Sequence, residues 1–100
     1  MQVASVLGRL SIPMAGAYNA SKHALVGLTR CAALEMGAYG INVNAICPGY
    51  IRTEINAEHW ETEAGRKLIQ MLPRRRVGEA ADLDGTLLLL VAEESQFING

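Results

Sequence analysis

Residues 17–49, AYNASKHALVGLTRCAALEMGAYGINVNAICPG, hold a long proline-free segment followed by an alternating one. From Ala17 to Met36 there is a single glycine, and Ala, Leu, Lys and Glu predominate until Gly37 and Gly40 interrupt the pattern, which predicts a helix. Ile41-Asn42-Val43-Asn44-Ala45-Ile46 then alternates, with Ile41, Val43 and Ala45 on one face, and Pro48-Gly49 ends what reads as a strand. Upstream, Val3–Leu7 has the character of the end of a buried strand, and Gly8, Pro13 and Gly16 punctuate the loop after it. Strand, long helix and strand form one crossover unit, for which parallel pairing with a right-handed connection is the rule. Parallel sheets are covered by helices on both faces. The expected fold is therefore α/β, a doubly wound parallel sheet.

The long helix is apolar beyond a single stripe. Leu25, Leu28, Ala32 and Met36 lie on one side, while Val26, Ala33 and the small Ala17, Ala20 and Ala24 extend past it. Such a helix calls for cover on two sides, a sheet and a partner subunit, or else full burial within its own domain. Tyr50–Trp60 is irregular, residues 62–72 suggest a short helix ended by Pro73, and Arg74-Arg75-Arg76 leads to a turn at Gly78. A last helix is expected from Ala80 to Ala92, with Asp82 and Asp84 near its positive end. Phe97–Gly100 reads as the approach to another strand, so both ends are expected to fall within structural elements.

Composition narrows the function classes. The chain has 100 residues, 50% hydrophobic and 19% charged, with a formal net charge of -1. A single domain is expected at this length. A nucleic-acid binder would carry a concentrated basic excess that is missing here. Cys31 and Cys47 have no His or Cys at metal-ligand spacing, and a secreted disulfide framework would need more cysteines. Both are expected as reduced thiols in the cytoplasm, with Cys47 buried and inert. No leader-like segment opens the sequence, and the longest apolar run, Leu87–Ala92, falls far short of the roughly 18 residues a membrane span needs.

The chemistry concentrates in Ser5, Tyr18 and Lys22. A phenol ordinarily titrates near pH ~10 and acts as a base at neutral pH only where positive charge stabilises its anion. Tyr18 and Lys22 are four residues apart on the expected helix, hence one turn apart on one face. The ammonium can thus support the phenol, while the Ser5 hydroxyl, delivered from a strand end, can hydrogen-bond the oxygen of a bound carbonyl or alcohol. Alone, a Tyr-x-x-x-Lys pair is a weak signal whose plain reading is an exposed helix face.

The ordered set is far more specific. Ser5-Val6-Leu7-Gly8, then Tyr18-Asn19-Ala20-Ser21-Lys22-His23-Ala24, then Asn42-Val43-Asn44-Ala45-Ile46-Cys47-Pro48-Gly49-Tyr50-Ile51-Arg52-Thr53 resembles the short-chain dehydrogenases/reductases over nearly the whole chain. The resemblance implies the C-terminal catalytic half of a single Rossmann-type domain. Its serine would orient the substrate oxygen, its tyrosine move the proton, and its lysine support the tyrosine and hold the nicotinamide ribose; these are Ser5, Tyr18 and Lys22. Pro48, Gly49, Ile51 and Thr53 would lie at the nicotinamide end of NAD or NADP, Ile51 offering backbone groups to the carboxamide and Thr53 a hydroxyl. The family's Gly-rich phosphate turn, its fourth catalytic residue, an asparagine, and its closing Val-Asp-Gly-Gly have no counterpart in these residues. The implied activity is hydride transfer between NAD(P) and a small-molecule secondary alcohol or ketone, in a homo-oligomer, a tetramer by resemblance, without nucleic-acid or membrane partners. The competing expectation is an inactive remnant that acts only by self-association.

Other residues have two readings each. His23, beside Lys22, points about 100 degrees away from the Tyr18 face and is expected to be structural. Ile55, Trp60, Leu68 and Met71, near His59, would line an apolar entrance to a substrate or simply pack a surface loop. Arg74, Arg75 and Arg76 would attract a phosphate or pair with Glu79, Asp82 and Asp84.

Overall fold

The computed structural model describes all 100 residues, which form two compact units, one of residues 1–48 and 85–100 and one of residues 49–84. In the first unit, β1 (Gln2–Val3) pairs in parallel with β2 (Ala45–Ile46), Gln2 opposite Ala45 and Val3 opposite Ile46. Between them runs α1 (Gly16–Met36). The chain is thus α/β with parallel strands joined through a long helix.

Both strands are shorter than the sequence suggests. The ladder bonds nevertheless extend past β1, with N–H groups of Gln2, Ala4 and Val6 donating to the carbonyls of Asn44, Ile46 and Pro48 at 2.7, 2.8 and 2.9 Å. A 3-10 turn at Val6–Gly8 then breaks the extended run expected through Leu7. Ile41–Asn44 is not strand, and it is tied to the C-terminal tail by two asparagine side chains and the Val43 peptide. Asn42 Nδ2 donates to Gln96 O, Asn44 Nδ2 to Ile98 O, Val43 N–H to Asn99 Oδ1, and Gly100 N–H to Val43 O. Asn44 is buried, and this bond satisfies it. The tail forms no strand of its own.

The buried stripe of α1 also differs from expectation. Asn19, Thr29 and Ala33 are buried, whereas Leu28 is 61% exposed and the small Ala17, Ala20 and Ala24 are exposed. The helix is approached closely at two places: at Gly8 an added Cβ would stand 2.8 Å from the Lys22 carbonyl oxygen and 2.9 Å from Val26 Cγ2, and at Gly100 one would stand 3.3 Å from Ala33 Cβ. A helix packed this tightly on a turn buries small and short polar side chains, and Thr29 Oγ1 is satisfied by the Leu25 carbonyl at 2.8 Å.

The expected last helix divides into a 3-10 turn at Ala80–Leu83 and an α-helix at Asp84–Val91, on which no residue is buried. In the second unit two short helices, α2 (Ala57–Glu61) and α3 (Glu63–Met71), surround the buried Trp60. Numbering in chain order makes the Asp84–Val91 helix α4. Thr62 caps α3, its Oγ1 accepting from Gly65 N–H at 3.0 Å and donating to His59 O at 2.6 Å. No helix is long and apolar enough to cross a membrane.

Candidate active site

Tyr18 and Lys22 sit in the first two turns of α1, and the four-residue spacing places them on one face. The Lys22 ammonium stands 5.5 Å from the centroid of the Tyr18 ring, and it donates one long bond, 3.4 Å, to the Val3 carbonyl at the end of β1. Its remaining donors are free for a ligand. The Tyr18 side of the helix faces solvent, the residue being 49% exposed.

Ser5 precedes the Val6–Gly8 turn in extended conformation, and its Oγ accepts from Leu7 N–H at 3.2 Å. That bond uses a lone pair and leaves the hydroxyl proton for a second partner. The turn is pinned to α1 where Gly8 meets Lys22 and Val26, and to the segment just after β2 through the Val6–Pro48 bond. Ser5 on the turn, and Tyr18 and Lys22 on α1, are thereby carried by two locally locked pieces of one unit. His23 Nδ1 lies 2.8 Å from the Asn19 carbonyl one turn earlier on the same helix.

Pro48 closes the first unit, and Gly49, Ile51 and Thr53 belong to the second. Ile51 bridges Gly78 in parallel, Gly78 N–H donating to Tyr50 O at 2.8 Å and Arg52 N–H to Gly78 O at 2.7 Å. A parallel bridge of this kind uses the residues flanking Ile51 and leaves the Ile51 amide unengaged. Gly49 has open space where a Cβ would be. A free backbone donor, a hydroxyl at exposed Thr53 and an uncrowded glycine suit a polar ligand with an amide group.

The structure also bears on the readings of three other features. Trp60 does not line an entrance: it is 4% exposed, edge-on to Tyr50 and His59, with Nε1 donating to Asn56 Oδ1 at 3.1 Å. Ile55 and Met71 are exposed at 98% and 80%, so the four residues do not form an apolar lining. Arg76 is paired, forming a two-bond fork with the Asp82 carboxylate at 2.7 and 3.2 Å. This fork, with the Glu79 N–H, holds the Asp82 carboxyl down at about 2, and Asp82 raises the Arg76 guanidinium in return. Cys47 is half-buried along a cavity of about 190 Å3 that Arg9 and Arg30 also line, and Cys31 is exposed. Asn56 was not singled out by any motif, yet it bonds Ile51, Thr53 and Trp60.

A family model described as enoyl-(acyl carrier protein) reductase matches residues 1–100. Together with the relatives below, this places the chain in the short-chain dehydrogenase/reductase family, and its parallel α/β fold is that of the family's Rossmann-type members. The rat dehydrogenase/reductase SDR family member 4 is 37% identical over 98% of this chain and 36% of its own length. Among solved structures, a 4-hydroxyisoleucine dehydrogenase complexed with NADH aligns with a TM-score of 0.88 at 38% identity, covering 97% of this chain and 40% of that one. A gluconate 5-dehydrogenase from Burkholderia cenocepacia, in complex with NADP and tartrate, aligns at 0.89 and 31% identity, covering 97% and 38%. The chain thus spans between a third and a half of the length of these relatives.

Proposed function

We propose that these residues form the C-terminal catalytic half of a Rossmann-type domain in an NAD(P)-dependent oxidoreductase that interconverts a secondary alcohol and a ketone. The observation that carries the reading is the α1 face on which the Lys22 ammonium stands 5.5 Å over the Tyr18 ring, beside a turn that presents Ser5. Family membership supports it, as do the NADH and NADP held by the two solved dehydrogenases.

In the reducing direction the Ser5 hydroxyl donates to the substrate carbonyl oxygen and fixes its position. Tyr18 gives its phenolic proton to that oxygen, and in the oxidising direction the phenolate takes the proton back. Lys22 stabilises the phenolate by charge and has donors left for the ribose. Pro48, Gly49, Ile51 and Thr53 take the nicotinamide end, with the free Ile51 amide suited to the carboxamide. The dinucleotide, when bound, supplies the hydride or its acceptor, and the side chains supply protons and orientation.

Calorimetric titration of the full chain with NADH and, separately, NADPH tests the reading. Saturable binding of either is expected, and a folded sample that binds neither refutes a usable dinucleotide site in these residues and makes the motifs relics or half of a split site. Tyr18→Phe should abolish alcohol–ketone turnover while leaving dinucleotide affinity nearly unchanged, and undiminished turnover would exclude Tyr18 as the acid/base.

A second reading is favoured by exposed apolar side chains in the first unit: Leu28 and Leu34 on α1 and Leu88, Leu89 and Val91 on α4. In it the residues act only through self-association of an inactive remnant. Light scattering that finds an assembly, together with a failure to bind either dinucleotide, would support this alternative.

A further inference from the structure

The Tyr50–Thr53 stretch is held from two sides. On one side lies the bridge to Gly78, where an added Cβ would stand 2.7 Å from Ile51 Cδ1, the movable end of that side chain, and 3.4 Å from Tyr50 O. Gly78 is in turn fixed by its neighbours: Arg76 grips Asp82, and Asp82 Oδ2 accepts from Glu79 N–H at 2.8 Å.

On the other side stands Asn56. Its Nδ2 donates to Ile51 O at 2.9 Å, and its Oδ1 accepts from Thr53 N–H at 2.8 Å and from Trp60 Nε1 at 3.1 Å. Three partners fix both the plane and the flip of the amide. Trp60 is 4% exposed, so Asn56 ties the Ile51–Thr53 backbone to the buried centre of its unit. The Ile51 carbonyl and Thr53 amide are both directed by this one side chain, while the peptide that carries the free Ile51 amide is held at its other end, where Gly78 N–H donates to Tyr50 O at 2.8 Å.

We propose that Asn56 is a positioning residue for the nicotinamide end of a bound dinucleotide: it sets the direction of the Ile51 carbonyl and the Thr53 amide, and so the path of the backbone just after the free Ile51 amide, without touching the ligand. The inference rests on the dinucleotide reading given above. Its chemistry is that of preorganisation. A backbone donor already aimed at an amide ligand loses less freedom on binding than one that must be ordered.

The test compares NADH with ADP-ribose, which lacks only the nicotinamide, by calorimetry on the full chain. Asn56→Ala should weaken NADH about threefold to tenfold, the range of one hydrogen bond, and leave ADP-ribose within about twofold. Asn56→Asp keeps the acceptor for Thr53 and Trp60 but turns the bond to Ile51 into a repulsion between two oxygens, so it should shift NADH selectively, with the fold checked by circular dichroism. An unchanged ratio of the two affinities in both variants, whether both ligands weaken together or neither does, overturns the role of Asn56. Wild-type chain that binds neither ligand refutes the dinucleotide reading and takes this inference with it.

Discussion

Gly8→Ala tests how Ser5 is presented beside Tyr18 and Lys22. The new methyl would lie 2.8 Å from the Lys22 carbonyl oxygen and 2.9 Å from Val26 Cγ2. Ordinary carbon contacts begin at about 3.5 Å, so the turn must withdraw from the helix by about 0.6 Å or the methyl must push Val26 aside. Overpacking of this kind costs about 1–3 kcal/mol. Replacing glycine at a position of ordinary φ returns about 0.4–1 kcal/mol by restricting the unfolded chain. The net expectation is a loss of about 0.5–2 kcal/mol, read by urea denaturation, with each kcal/mol lowering Tm by about 4–8 °C. Gly27→Ala is the matched control, since Gly27 lies within α1 with nothing near its would-be Cβ. That variant should gain up to about 1 kcal/mol from helix propensity. The two substitutions should therefore move stability in opposite directions. Gly8→Ala protein as stable as wild type would refute the close packing, and with it the account of how Ser5 is held.

Two further predictions concern the second unit. Asp82 has its carboxyl lowered from 3.8 to about 2 by Arg76 and the Glu79 N–H, so its contribution is full above about pH 4 and is lost as pH falls toward 2. Acid unfolding of Asp82→Asn should be flatter than wild type in that window, and an identical slope would mean the pair is not its source. Thr62→Ala removes the hydroxyl that caps α3 and should cost about 1 kcal/mol in denaturant unfolding, and a cost near zero would show that the cap bond to Gly65 contributes nothing.

What was legible in the sequence follows the range of the forces involved. The helix expected from Ala17 to Met36 appears at Gly16–Met36, because propensity and the glycine stop act locally. The helix expected at 62–72 appears at Glu63–Met71, capped by Thr62 as its position suggests. Strand extents were not legible, because a strand is defined by what pairs with it. Ile41–Asn44 alternates as a strand should, but Asn42, Val43 and Asn44 spend their polar groups on Gln96, Ile98 and Asn99, more than fifty residues away. The inward face of α1 escaped for a related reason. Periodicity selects large apolar residues, whereas close contact selects small ones: Gly8 meets α1 at Lys22 and Val26, and the tail covers Ala33, where Asn99 Nδ2 bonds the Ala33 carbonyl and a Cβ at Gly100 would stand 3.3 Å from Ala33 Cβ.

The candidate site divides along the same line. Ser5, Tyr18 and Lys22 could be found from spacing and family pattern, since a helical turn fixes the Tyr18–Lys22 relation without any tertiary information. Asn56 could not. Its three partners lie three to five residues away in a segment without regular periodicity, and an asparagine there reads equally well as a turn residue or a helix cap. The usable signal was Trp60, a large aromatic whose N–H needs an acceptor when buried, four residues after an amide that can supply one. Read as a possible entrance residue, Trp60 pointed outward; read as a buried donor, it points to Asn56. A buried indole is therefore best treated first as a request for a hydrogen-bond partner, and the partner's remaining bonds then show which backbone the pair holds in place.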